Sequence, residues 1–370
     1  MLRRADDAGK VLDASTPTAD EHRPLIEAQL TRPATPPVSA AWARDACRCP
    51  ECRDVHSGQH LIEAADLAGW HVIAEHRSPD GLTVDLLHAD GRCHRAVIPN
   101  VDSTPTANET TLWGSEHVER ITSDVADASG PLDRFVSDLA EFGIAVVGGV
   151  PTEPGAVLDF ARSFGFVRTT NYGELFDVRP TPNASNLAFT SKGLPLHTDN
   201  PYRDPVPTVQ LLHCLRAART GGASMFSDGF AAAERLRQHD PASFRTLTTT
   251  PVSFRFRSAD TDLVATTPLI QLDVSGNVTR VTVNNRSMEP VEHGGDDFYA
   301  AYLRFCDELA APDRTIELTL GAGQLVAFDN RRVLHGRGGH ADDAGRHLQG
   351  CYADIDAVHS AVRVNRRLHA

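Results

Sequence analysis

The sequence predicts a mainly β fold with flanking helices: a double-stranded β-helix, or jelly roll, in the larger part of the chain, preceded by a small N-terminal metal-binding unit. Three observations lead there. Short strand-type runs separated by tight turns crowd the stretch from Val209 to Phe328. Candidate metal ligands His197, Asp199 and His335 lie on strand-like segments far apart in sequence, which suits the mouth of a double-sheet jelly roll. Three cysteines stand close together in Cys47-Arg48-Cys49-Pro50-Glu51-Cys52.

Length and composition set the frame. A chain of 370 residues suggests two domains, or one large domain with an extension. Charged residues make up 23% and hydrophobic ones 41%, an ordinary balance for a globular protein with a substantial core. The formal net charge of -13 argues against a general nucleic-acid binder. No apolar run reaches the length of a membrane span, and Met1-Leu2-Arg3-Arg4-Ala5-Asp6-Asp7 lacks the apolar segment of a signal peptide, so a cytoplasmic protein without a membrane partner is expected. Seven cysteines, an odd number, suit metal binding in a reducing compartment better than a disulfide framework.

Taken in order, residues 1–38 are rich in Thr, Pro, Ala and charge without apolar periodicity and predict a mobile tail. Residues 39–105 predict a zinc-binding domain: Cys47, Cys49 and Cys52 supply three thiolates, and His94, with Cys93 as competitor, supplies the fourth ligand of a closed tetrahedral site. Leu82-Thr83-Val84-Asp85-Leu86-Leu87 is a strand candidate within it. Ordinary free thiols are the competing reading. Residues 106–130, full of Thr, Ser, Asp and Ala, read as a linker before the jelly-roll domain, 131–370. Pro131 opens a helix whose Leu132, Phe135, Val136, Leu139 and Phe142 form one apolar face, and Gly143 ends it. The strand Ile144-Ala145-Val146-Val147 follows, then a helix over 156–164 with Val157, Leu158, Ala161 and Phe164 inward. Beyond His197 the strand runs are 209–215, 253–256, 269–274, 278–284, 316–320 and 324–328, interrupted by one amphipathic helix over about 296–310.

His197 and Asp199 stand two residues apart, so on an extended strand both side chains leave one face and can close on one metal ion. With His335 they make the two-histidine, one-carboxylate set that holds non-haem Fe(II) with open coordination positions. The His-x-Asp pattern also occurs as His88-Ala89-Asp90 and His340-Ala341-Asp342, so spacing alone does not choose among the three. Satisfied structural histidines are the competing reading.

Further residues carry a resemblance. They are Gly148-Gly149-Val150-Pro151, Thr170-Asn171-Tyr172-Gly173-Glu174-Leu175-Phe176-Asp177-Val178, Asn186-Leu187-Ala188-Phe189, Leu196-His197-Thr198-Asp199, Val209-Gln210-Leu211-Leu212-His213-Cys214, Phe328-Asp329-Asn330-Arg331-Arg332-Val333-Leu334-His335-Gly336-Arg337 and Arg346-His347-Leu348-Gln349-Gly350-Cys351-Tyr352. In order and spacing they resemble the gamma-butyrobetaine and trimethyllysine dioxygenase family, within the taurine-dioxygenase-like Fe(II)- and 2-oxoglutarate-dependent oxygenases. Trp42-Ala43-Arg44-Asp45-Ala46-Cys47 and the cysteines after it resemble the small zinc domain of the same family.

The resemblance implies Fe(II), 2-oxoglutarate and O2, with structural Zn(II), and a homodimer. Arg346 would grip the distal carboxylate of 2-oxoglutarate as a planar bidentate donor, with Asn186 and Leu212 lining the same pocket. The family holds a trimethylammonium group among aromatic rings, and Tyr172, Phe176, Phe189 and Tyr352 occupy the matching positions. Phe176 stands where a Trp is usual and Phe189 where a Tyr is usual. Asn200, Tyr202, Asn285 and Arg286 form a polar set for the substrate's anionic end, and a cation with neutral donors suits a tetrahedral dianion. That set resembles the branch acting on 2-(trimethylammonio)ethylphosphonate, so hydroxylation of this compound at C1 is the favoured expectation. Hydroxylation of gamma-butyrobetaine to carnitine stands second and trimethyllysine third, and the non-enzymatic alternative is a zinc-stabilised interaction protein built on an inactive jelly roll.

Overall fold

The computed structural model describes residues 38–100, 110–122, 126–127, 132–180, 190, 192–292, 294–339 and 345–369. The chain divides into two compact units, Met1–Pro105 and Thr106–Ala370.

In the first unit, helix α1 (Ala40–Ala46) starts at Ser39, whose hydroxyl accepts from the Trp42 amide. Strands β1 (Trp70–Ser78), β2 (Gly81–His88) and β3 (Cys93–Pro99) form an antiparallel sheet in that order. Leu82, Val84 and Leu86 alternate along β2, so all three reach one face, where they bury with Ala96, Ala43, Cys47 and Cys52. This small core carries the cysteine cluster.

In the second unit the helices are α2 (Val118–Thr122), α3 (Asp133–Phe142), α4 (Ala156–Arg162), α5 (Gly229–His239), α6 (Pro241–Thr249), α7 (Gly295–Ala310) and α8 (Ile355–His369). The strands are β4 (Ala126–Asp127), β5 (Ile144–Gly148), β6 (Phe176–Val178), β7 (Leu194–His197), β8 (Val209–Arg216), β9 (Ser224–Asp228), β10 (Val252–Arg257), β11 (Asp262–Thr267), β12 (Ile270–Leu272), β13 (Val278–Val281), β14 (Thr315–Leu318), β15 (Leu325–Asp329), β16 (Val333–Arg337) and β17 (His347–Ala353). Two sheets face each other: β4-β5-β15-β8-β17-β6 and β14-β9-β16-β7. Alternation decides what fills the space between them. Ile144, Val146, Val326, Phe328, Cys214 and Leu348 from the larger sheet meet Phe226, Ile316 and Val333 from the smaller one. Their neighbours Ala145, Val147, Leu325, Ala327 and Leu211 point the other way and bury against α3, α4 and α8. Each large side chain removed from water there contributes about 1.5–3 kcal/mol. This is the expected jelly roll.

Local expectations hold for α3: Phe135, Val136, Leu139 and Phe142 are buried, and Gly143, at φ 72, ends the helix with its amide on the Leu139 carbonyl. Pro131 lies outside the described residues. In α4 the fully buried residues are Val157, Phe160 and Ala161, with Leu158 and Phe164 only partly covered. Phe160 joins the core because it lies three residues after Val157, on the same helical face.

Three expectations need correction. Residues 110–122 are not a free linker: Trp113 is buried in the inter-sheet core, its amide donating to Asp228 and its indole to the Phe142 carbonyl. The stretch between β9 and β14 holds three helices, not one, since α5 and α6 precede α7. Their signals were present, because Asp228 caps α5 and Asp240, followed by Pro241 in the first turn, caps α6. Asp199 does not share a strand with His197, for β7 ends at His197. No helix among the described residues is long and apolar enough to cross a membrane.

Candidate active site

Three donor groups meet at one end of the sandwich. His197 ends β7 and pairs in register with His335 on β16, which sets the two imidazole rings 4.3 Å apart between centroids. Asp199 reaches the same point from the turn after β7. Its carboxylate lies 3.3 Å from His197 Nε2 and 3.9 Å from His335 Nε2, and the three donor atoms lie within 4.8 Å of one another. His197 Nδ1 sits 2.9 Å from the Pro195 carbonyl, so it carries the proton and leaves the Nε2 lone pair free for a metal. Burial, and then the neighbouring His197, drive His335 down to about 3, so it stands neutral and ligand-ready. Burial alone would raise Asp199, but its imidazole neighbours and the Arg286 guanidinium outweigh that and hold the carboxylate well below its usual range. The donor set fits a divalent ion of the non-haem iron type.

Off the strand, the turn carrying Asp199 needs other supports. Asn330 Oδ1 accepts the Asp199 amide at 2.7 Å, while its Nδ2 donates to the carbonyls of Asp199 and Pro207. Thr198 exchanges backbone and hydroxyl bonds with Val283, and Asn284 Nδ2 donates to the Thr198 carbonyl. Tyr352 donates its hydroxyl to the Asp199 carboxylate at 3.0 Å. Sequence reasoning placed Tyr352 among the cation-binding rings and did not assign Asn330, although Asn330 stands within the quoted motif.

These ligands open on a cavity of about 450 Å³ that also receives Leu212, Arg346, Arg286, Asn200, Tyr202, Tyr172, Phe176 and Tyr352. Arg346 is 8% exposed and has no hydrogen-bond or ion-pair partner among the described residues. Burial, and then Arg337, lower it to about 10, so the guanidinium remains charged with no counter-ion among the described residues. Arg286 likewise forms no ion pair among the described residues, and Glu289, three positions on, acts instead on Arg255. Phe176 tilts over Tyr352 at 5.2 Å. Gly350 makes that possible, since a Cβ there would meet the Phe176 ring at 2.5 Å. Tyr172 and Tyr202 share a hydroxyl contact of 3.1 Å, and Tyr202 donates to Asn200 Oδ1 at 2.9 Å.

Asn285 is not brought to the cavity. An Asx turn, with Asn284 Oδ1 accepting the Arg286 amide, keeps Asn284 and Arg286 on the cavity side, and Asn285 takes the Tyr302 hydroxyl of α7. Asn284 therefore stands where Asn285 was expected. Asn186 and Phe189 lie outside the described residues, as does the His340-Ala341-Asp342 pattern. Among the lining residues that sequence reasoning missed are Phe256, stacked on Tyr202 at 5.1 Å, with Arg255, Arg257, Gln210, Ser224 and Arg337. Phe256 was visible only as one residue of a strand.

In the first unit Cys47, Cys49, Cys52 and His94 form a second donor group. Alternation on β3 settles which residue of the Cys93-His94 pair joins it: His94 faces the small core and Cys93 faces solvent. The edges between donors run 3.5 Å for Cys49–Cys52, 3.5 Å for Cys47–His94, 3.9 Å for Cys49–His94 and 3.4 Å for Cys52–His94. Tetrahedral zinc with its usual bond lengths has edges of about 3.5–3.8 Å, so the set fits. His94 Nδ1 faces Glu51 at 3.5 Å, which turns Nε2 toward the sulfurs. Arg44 also touches Cys52 and lies 3.0 Å from His94 Nε2. Burial, with the Cys49 and Cys47 thiols adding to it, pushes the Cys52 thiol up to about 12.

Comparison with known proteins agrees with this geometry. A family model described as "Taurine catabolism dioxygenase TauD, TfdA family" matches residues 102–352. A gamma-butyrobetaine dioxygenase from Pseudomonas sp. (strain AK-1) is 44% identical, covering 90% of this chain and 91% of the relative. The Homo sapiens gamma-butyrobetaine dioxygenase is 32% identical, covering 89% and 91%. Among solved structures, an asparagine oxygenase superposes with a TM-score of 0.51 at 21% identity, over 60% of this chain and 79% of that one, a likeness of fold.

Proposed function

The chain belongs to the TauD, TfdA family of dioxygenases, alongside the gamma-butyrobetaine dioxygenases, and from that membership we propose that it hydroxylates a zwitterionic trimethylammonium compound, with gamma-butyrobetaine first. The observation that carries the reading is one cavity holding the His197, Asp199 and His335 donors, the buried Arg346 guanidinium and a wall of aromatic rings. His197, Asp199 and His335 would hold Fe(II). Iron bound there, with 2-oxoglutarate and O2 as co-substrates, supplies hydroxylation of an unactivated C–H bond with release of succinate and CO2. Arg346 binds the distal carboxylate of 2-oxoglutarate, because a buried guanidinium with no partner among the described residues gains most from a bidentate anion. Tyr352 and Asn330 hold Asp199 in place. Tyr172, Phe176 and Phe256 present apolar faces to a cation that cannot donate a hydrogen bond, each worth on the order of 0.5–2 kcal/mol as water is excluded.

The order of substrates differs from the expectation formed on the sequence, which put the phosphonate first. The relatives named for gamma-butyrobetaine support the carboxylate. Arg286 keeps 2-(trimethylammonio)ethylphosphonate as the second reading, since a guanidinium beside Asn200, Asn284 and Tyr202 matches a tetrahedral dianion. Zn(II) in the Cys47, Cys49, Cys52 and His94 group would stabilise the first unit. The test supplies Fe(II), 2-oxoglutarate and O2 with each compound side by side, reading succinate and hydroxylated product. Product from gamma-butyrobetaine supports the first reading and product from the phosphonate alone supports the second. Product from neither refutes both.

A further inference from the structure

Behind the aromatic wall of the cavity lies a polar cluster with no part in binding iron or 2-oxoglutarate. Strand β6 is the edge of the larger sheet and consists of three residues, paired antiparallel to β17 through Phe176 with Gly350, Asp177 with Gln349 and Val178 with Leu348. Alternation splits it. Phe176 and Val178 face the cavity, as Leu348 and Tyr352 do from β17, while Asp177, His347 and Gln349 face away from it. On that outer side Asp177 Oδ1 meets His347 Nε2 at 2.6 Å and accepts Gln349 Nε2 at 3.1 Å. Gln349 Oε1 in turn accepts the Gly155 amide at 2.8 Å, just before α4. Burial alone would raise Asp177, but the bonds from His347 and Gln349 outweigh it and hold the carboxylate below its ordinary range.

A three-residue edge strand has few ladder bonds to hold it, so side-chain anchors decide how sharply it is placed. The Phe176 ring rests in the gap left by Gly350, a fit that tolerates little displacement. We propose that Asp177, clamped by His347 and Gln349, is a positioning residue that acts through β6 to fix the Phe176 wall for the cationic end of the substrate. The inference rests on the trimethylammonium reading given above. Arg346, just before β17, enters the cavity on the side of the sheet opposite the clamp.

The test compares the wild-type holoenzyme with Asp177→Asn, His347→Gln and the double variant. Each single change should raise KM for the trimethylammonium substrate about fivefold and lower the ratio of hydroxylated product to succinate, as a charge-assisted bond is lost. In Asp177→Asn, kcat and the KM for 2-oxoglutarate stay within about twofold of wild type. The double variant should be no worse than either single one, because both break one bond. A merely structural role would move both KM values together, and that result, or unchanged values throughout, overturns the proposal. Deuterium exchange over residues 176–178 provides a readout independent of substrate, and it should quicken in Asp177→Asn. If the wild type turns over no trimethylammonium compound, the substrate reading has failed while exchange still decides the clamp, and unchanged protection there refutes it.

Discussion

Replacing Arg286 by Ala separates the two substrate readings most sharply. The guanidinium lines the cavity, forms no ion pair among the described residues, and is close enough for its charge to act on Asp199, His335 and Arg337. An anion seated against it is partly desolvated, so truncation costs about 2–5 kcal/mol, or roughly 30-fold to several thousand-fold in substrate affinity. A phosphonate dianion, which takes more of its stabilisation from the full charge, should fall toward the larger loss. A carboxylate held mainly by the neutral donors Asn200, Asn284 and Tyr202 should lose less than about tenfold. Binding of 2-oxoglutarate is expected to hold, because its proposed anchor is Arg346. The assay measures hydroxylated product at varied substrate with 2-oxoglutarate saturating, then succinate at varied 2-oxoglutarate. Phosphonate turnover that survives the change at full efficiency refutes the placement of the anionic end at Arg286. A parallel rise in KM for 2-oxoglutarate would instead show that Arg286 serves the co-substrate.

Other expectations concern the supports of the site and of the fold. His197→Ala should abolish iron-dependent turnover of every substrate, read as loss of succinate formation at saturating Fe(II). Asn330→Ala removes three bonds from the Asp199 turn and should weaken Fe(II) retention about 10–100-fold in a chelator competition, with the melting temperature also lowered. Arg332→Leu leaves Asp228 buried without its charge partner, for Arg332 donates to both Asp228 oxygens and to the carbonyls of Glu141 and Thr111, so urea denaturation should show a loss of about 3–5 kcal/mol. Asp240 is held at about 2 by the Ser243 hydroxyl and amide, with Arg304 adding to them. Its folded value is below the unfolded one of about 3.9, so its stabilisation is present above pH about 4 and is lost as pH falls through about 2. Asp240→Asn should therefore lower the melting temperature at neutral pH and make little difference near pH 2.

The fold class was legible in the chain alone, and so were the candidate donors His197, Asp199 and His335. Alternation along runs such as Ile144-Ala145-Val146-Val147 and Gln324-Leu325-Val326-Ala327-Phe328 dictates a sheet covered on both faces, because side chains two apart must share a side. His197, Asp199, His335 and Arg346 were legible through their motifs, and α3 through its apolar period and closing glycine. How those side chains come together is a matter of strand pairing and packing. Asp199 reaches the metal position from a turn held by Asn330, 131 residues away, an arrangement that strand geometry alone cannot foresee. Asn284 displaced Asn285 because an Asx turn reversed the facing of neighbouring residues, and Phe256 entered the site only when its hairpin folded over Tyr202. Choosing His94 over Cys93 needed the register of β3 against β2. Local pattern follows from the chain's own periodicity, whereas a site assembled from distant turns depends on which strands pair, and that is settled by burial across the whole core.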